Sequence, residues 1–156
     1  DKRKNIKKVL ARRGTRINLG DGAVLDILFP DRDVTGMDTN DASVIAKLVY
    51  GNKSFLFTGD SPAKMEKYLV SLDGKNLDAD VLKVGHHGSK TSSSESFLGY
   101  VSPEYAVISA GEENKYGHPH TETLNRLIQF SANILRTDEQ GTVKIKTDGE
   151  SIIFAN

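Results

Sequence analysis

The chain of 156 residues has no cysteine, no tryptophan, only four prolines and no net charge, with Lys+Arg and Asp+Glu each counting 21. Each absence removes a class of explanation. Without thiols there is neither a disulfide nor a thiolate metal site, so any metal must be held by oxygen and imidazole donors. Because cysteine-free chains occur everywhere, this leaves the compartment open. With no basic excess, the molecule as a whole does not attract nucleic acid, and any charge effect is local. The first thirteen residues do hold seven of the 21 positive charges. No apolar run approaches a membrane span or the core of a signal peptide, so there is no membrane segment in this chain. At this length, with 37% hydrophobic residues, the sequence supports a single core and one domain.

What is present divides into two patterns. Ile6, Val9, Leu10 and Arg13 stand at helical spacing, which predicts a basic helix over residues 1–14, closed by Gly14. Strand-like runs follow at 16–19, 23–29, 43–50 and 54–58, separated by Gly20-Asp21-Gly22, Pro30-Asp31 and Gly51-Asn52. After Asp60 strands and helices alternate. A helix is expected from about Pro62 with Ser61 as its cap, then a strand at 80–84, a helix near 94–101, a strand at 105–109 and a helix near 121–129. Three strands close the chain, at 133–135, 142–146 and 151–154. This grammar is α/β, with a mixed sheet and flanking helices.

The chemistry-bearing residues gather at strand ends. Ser54–Thr58 runs into Gly59-Asp60, Asp80–Val84 runs into Gly85-His86-His87-Gly88, and Tyr105–Ser109 leads through a glycine-rich loop to Gly117-His118-Pro119-His120. All four histidines of the chain lie in these endings. A lone Asp after Thr-Gly reads equally well as a turn or cap residue, and a lone histidine is more often structural than functional. Their concentration at strand ends in glycine-rich loops favours a site. Asp60, His86, His87 and His118 are donors suited to Zn²⁺, Mn²⁺ or Fe.

Five ordered motifs carry a family resemblance. They are Asn40-Asp41-Ala42-Ser43, Phe55–Asp60, Asp80–Ser92, Ser109–His120 and Arg136–Gly141. Together they resemble the metallo-β-lactamase-like domain of the ComEC competence family, from about residue 15 to the C-terminus. The resemblance implies an αβ/βα sandwich that holds two divalent metal ions, Zn or Mn, with Asp60 and His118 as metal ligands and Asp60 bridging. It places His86 and His87 beside the reacting phosphate as catalytic groups. It also implies a phosphodiester substrate, with DNA favoured, and a bacterial parent that is membrane-associated or extracytoplasmic.

The chain departs from that family in one respect. No His-x-His-x-Asp-His cluster precedes Asp60. Residues 1–156 are therefore expected to be the C-terminal half of such a domain, a basic helix followed by the strand-rich and alternating part at 15–156. On this expectation the chain alone carries no metal or one metal and is inactive in isolation. The N-terminal half would then lie on another chain, be disordered or be deleted.

Roles follow for the neighbours. Asn40 and Asp41 are expected to hold the Asp60 loop through hydrogen bonds. Ser89 and Lys90, with Thr91 and Ser92, form either a solvated loop or a phosphate-contacting one. Gly117 and Pro119 favour His118 over His120 as a ligand, with His120 turned to the start of a helix. Successive residues leaving a strand face opposite ways, which predicts that His86 faces the metals and His87 the substrate. Two functions from different classes remain: a metal-dependent phosphodiesterase or nuclease linked to DNA uptake, and a non-catalytic module binding nucleic acid or cell-envelope material. A half-sandwich also leaves one apolar sheet face to be covered, by a complementing N-terminal half or a second copy in a dimer.

Overall fold

The computed structural model describes residues 8–155. The core is a seven-stranded mixed sheet whose spatial order follows the chain, β1 to β7. β1 (Arg16–Gly20), β2 (Ala23–Phe29), β3 (Ile45–Tyr50) and β4 (Lys53–Phe57) form an antiparallel meander. From β4 onward the pairing is parallel, through β5 (Val81–Lys83), β6 (Tyr105–Ile108) and β7 (Asn133–Arg136). The switch has a local cause. Turns such as Gly51-Asn52 join antiparallel neighbours directly, whereas each parallel step needs a crossover, supplied by α1 (Ala63–Asp73), α2 (Glu95–Val101) and α3 (Thr121–Gln129). A short α4 (Thr137–Gln140) follows β7, and β8 (Lys144–Thr147) pairs with β9 (Ile152–Ala155) as a separate antiparallel hairpin.

Period-two alternation sorts each strand between two faces. On one face Ile45, Leu56, Leu82, Ala106 and Ile108 are buried with Leu69, Phe97, Leu98, Val101 and Leu127 of the helices, and this layer is the hydrophobic core. On the other face Leu48, Phe55, Phe57, Val81, Lys83 and Val107 line a hollow of about 350 Å³ that Val143, Ile145 and Thr147 partly cover. Tyr105 meets Phe154 there, with ring centroids 4.7 Å apart. The hairpin is seated by a close backbone approach. Gly51 and Gly149 touch so tightly that a Cβ on Gly51 would stand 2.6 Å from the Gly149 carbonyl oxygen, and Asn52 donates to the Glu150 carboxylate at 2.9 Å. The apolar face expected from the sequence therefore exists, and the chain's own last hairpin covers part of it.

Two expectations are corrected. Of the basic helix expected over 1–14, residues 1–7 lie outside the described residues, and residues 8–12 form no regular element. Val9 and Leu10 stay 66% and 70% exposed, so the apolar stripe meets no surface that would stabilise a short helix. Instead the backbone N–H of Arg13 donates to the Pro30 carbonyl at 2.7 Å, and its guanidinium forks onto Asp73. At α1 the N-cap position falls on Pro62, with no side-chain cap bond, rather than on Ser61.

Candidate functional site

Parallel strands β4 to β7 end on one edge of the sheet, and the polar residues singled out above follow those ends. In open α/β sheets ligands bind outside the carboxyl ends of such strands. Asp60 follows β4, His86 and His87 follow β5, and the loop after β6 carries Ser109 to His118. The backbone N–H of His86 donates to the Gly59 carbonyl at 3.0 Å, which ties the first two endings together. The N–H of His120 donates to the Gly88 carbonyl at 2.9 Å, which ties in the third.

The histidine pair is held in an unusual backbone. His86 and His87 both adopt left-handed conformations, at φ 48° and 55°, within a tight 3₁₀-type turn over Gly85–Gly88. Non-glycine residues there cost on the order of 1–3 kcal/mol each and persist only where surrounding structure holds them. The chain turns at the pair instead of extending, so alternation of successive side chains does not apply. The consequence is that His87, rather than His86, reaches Asp60, with Nε2 3.6 Å from Oδ1. His87 Nδ1 lies 2.6 Å from the Ser109 carbonyl, which can only accept, so Nδ1 carries a proton and donates it there, and Nε2 is the ring nitrogen turned to the carboxylate.

His118 stands at the centre of the rings. Its centroid is 5.7 Å from His86, 6.5 Å from His87 and 4.9 Å from His120. Burial, reinforced by the imidazoles of His120, His86 and His87, pushes the His118 imidazole below its ordinary value against the opposing pull of Asp60. The neutral form that a metal ligand or base requires is thereby favoured. His120 occupies the N-cap position of α3 without a side-chain cap bond. The buried Nδ1 atoms of His86 and His120 have no hydrogen-bond partner.

As donor types, the imidazoles and the half-exposed Asp60 carboxylate match a borderline cation such as Zn²⁺ or Mn²⁺. Among the described residues, however, no three His, Asp or Glu side chains converge closely enough to hold a metal ion by themselves. The donors approach one another in pairs.

The surrounding polar residues divide by what they touch. Asp41 pairs with Lys64 of α1. Asn40 contributes through its backbone, its carbonyl accepting from Ser43 at 3.2 Å, and Ser43 in turn accepts the Asp60 N–H on its hydroxyl at 3.1 Å. Ser43 is thus the direct support of Asp60, and its spacing from Asp60 gave no sign of it. The Ser89 hydroxyl shares a hydrogen bond with Thr91 at 3.0 Å, while the Lys90 side chain is exposed.

Three residues that the sequence reading passed over hold this loop. Glu66, 1% exposed, accepts the N–H groups of Ser93 and Ser94 and the Ser94 hydroxyl. Arg126 donates to the carbonyls of Ser92 and Ser93, both at 2.9 Å, and Thr123 donates its hydroxyl to the Ser89 carbonyl. Lys83, half-buried beside Asp60, has its ammonium pushed below the ordinary lysine value by desolvation.

Three comparisons with known proteins bear on this edge. The chain is 43% identical over 124 residues to competence protein ComA of Neisseria gonorrhoeae, covering 80% of this chain and 18% of that protein. It is 41% identical over 107 residues to ComE operon protein 3 of Bacillus subtilis (strain 168), covering 69% and 14%. It is 40% identical over 124 residues to recombination protein 2 of Haemophilus influenzae, covering 80% and 15%. The chain is a homologue of competence proteins. It spans less than a fifth of the length of each of these relatives. No protein-family model matches it.

Proposed function

We propose that this segment is the C-terminal half of a metallo-β-lactamase-type αβ/βα sandwich and that, in its full-length parent, it hydrolyses phosphodiesters in the course of DNA uptake. The single observation that carries the hydrolytic reading is the left-handed His86-His87 turn, which aims His87 Nε2 at Asp60 while Ser109 holds the Nδ1 proton. The competence relatives supply the reason for preferring DNA as the substrate.

In this reading Asp60 and His118 would hold a divalent metal, Zn or Mn. Such a cation would supply charge neutralisation at the phosphate and a more acidic water. The chain's own residues do the rest. His87 accepts or returns a proton at Nε2, and the Ser109 carbonyl fixes its tautomer so that the imidazole does not rotate away. His86, whose ring lies 5.7 Å from His118 with its Nδ1 buried and unpartnered, stands beside that proton path as the second catalytic imidazole. Lys90 faces solvent where a flanking phosphate would pass.

The test is hydrolysis of bis(p-nitrophenyl) phosphate by the full-length protein carrying His86→Gln or His87→Gln. A loss of kcat of about 100-fold, with metal content and melting temperature unchanged, supports the reading, because general acid–base groups contribute about that much. Losses that follow melting temperature alone in both variants would reduce the pair to structural residues.

A further inference from the structure

Beside the histidines, a cavity of about 400 Å³ opens to solvent between His87, His118 and Tyr116 on one side and the Ser109–Gly111 backbone on the other. Three rings line it in near-parallel succession. His87 and His118 are inclined by 20° at 6.5 Å, and His118 and Tyr116 by 23° at 5.7 Å. Tyr116 is 65% exposed, a large aromatic kept in water rather than in a core.

The loop that carries Tyr116 and His118 is held by one residue. Asn114 donates to the carbonyls of Gly111 at 2.9 Å and His118 at 2.6 Å, and its amide oxygen accepts the His118 N–H at 2.9 Å. The loop that carries Tyr116 is thereby closed on itself before any ligand arrives. Lys115 places its ammonium over the Tyr116 ring, 5.2 Å from its centroid, so a flexible side chain lies over one face of the ring and must swing aside for a base.

We infer that this slot binds a nucleobase of single-stranded DNA, stacked on Tyr116, next to the phosphodiester that lies over His87. The inference rests on the phosphodiesterase reading above and adds to it how the substrate is held. Parallel exposed rings suit a planar π-system, and a base can enter only when it is out of a duplex stack. The adjacent Lys115 matches the charge of the neighbouring phosphate. Several backbone groups of the wall are already engaged, the Gly111 carbonyl by Asn114, the Ser109 carbonyl by His87 and the Ala110 N–H by Thr137, so the ring faces are the main surface offered to a base. Stacking on a ring face is tolerant of base identity.

The experiment compares fluorescence anisotropy of the full-length protein with a short single-stranded oligothymidylate and with an abasic oligomer of equal length and charge, at one salt concentration. The wild type binds the base-bearing strand more tightly. Tyr116→Ala weakens that binding by roughly 5- to 150-fold, the range of base–aromatic stacking, leaves the abasic strand unaffected, and Tyr116→Phe restores it. Equal weakening for both strands, or no preference of the wild type for the base-bearing one, would overturn the inference. Diester hydrolysis is read on the same samples, and base-dependent binding that persists where hydrolysis is absent still supports the slot while removing the hydrolytic reading.

Discussion

Gly88→Ala tests whether the three strand endings are packed against one another as described. Gly88 sits at φ 82°, and a Cβ built on it would stand 2.6 Å from Cβ and 3.1 Å from Cα of Pro119. Two penalties add. A non-glycine residue in the left-handed region costs about 1–2 kcal/mol. Forcing a methyl against a rigid proline ring is overpacking, which costs about 1–3 kcal/mol. Their sum, about 2–5 kcal/mol, corresponds in a domain of this size to a fall in melting temperature of roughly 4 to 20 °C. Movement of the Gly117–His120 loop relieves the strain, and it breaks the bond from the His120 N–H to the Gly88 carbonyl and carries His118 away from His86. Thermal unfolding monitored by circular dichroism reads the first effect, and the His118 ring signals in NMR read the second. An alanine variant that melts within about 1 °C of the wild type, a change too small for either penalty, would refute the packing of these loops.

Glu66 gives a pH-dependent test. Burial raises its carboxyl above the ordinary value of 4.5, so the fold prefers the protonated form, and this contribution is complete below that value and is lost as pH rises through the raised one. Glu66→Gln cannot titrate, so its melting temperature must gain on that of the wild type as pH rises from about 4 toward neutrality; a flat difference or the opposite slope contradicts the assignment. In the core, Leu82→Ala should cost about 2–5 kcal/mol in urea unfolding, because Leu82 is fully buried in the middle of the sheet. Ile128→Ala, at a position 63% exposed, should stay within about 0.5 kcal/mol, and similar costs for the two would contradict the division between helix-side core and surface.

The parts of the fold that can be read from the sequence are those with a strong local period or punctuation. The strands ending at Phe29, Tyr50, Phe57 and Ile108 lie close to where alternation and glycine-rich turns predict them, and Asn52 opens a hairpin as its neighbours suggest. Boundaries set by tertiary contact escaped. Nothing local says that residues 8–12 find no surface to pack on, or that Thr137–Gln140 winds into a turn of helix where the Thr137 hydroxyl bonds Ala110 across the sheet. At the site, the histidines and Asp60 stand out because rare residue types recur at strand ends. Their supports do not. Glu66 and Arg126 look like ordinary charges on helices, and only the fold brings Glu66 to the Ser93 and Ser94 amides and Arg126 to the carbonyls behind them. Strand geometry does not govern the histidine pair, because the chain forms a left-handed turn there, a conformation that flanking glycines suggest but do not specify.

The central claim, that Asp60 and His118 anchor a divalent metal at the carboxyl edge of the sheet, is tested most directly by elemental analysis of the full-length protein after loading with Zn²⁺ or Mn²⁺ and desalting. The account predicts bound metal in the wild type, a reduced content in Asp60→Ala and in His118→Ala, and an unchanged content in Lys90→Ala, whose side chain is exposed and remote from the ring cluster in its chemistry. Equal metal content in all four proteins, or none in the wild type, would contradict it.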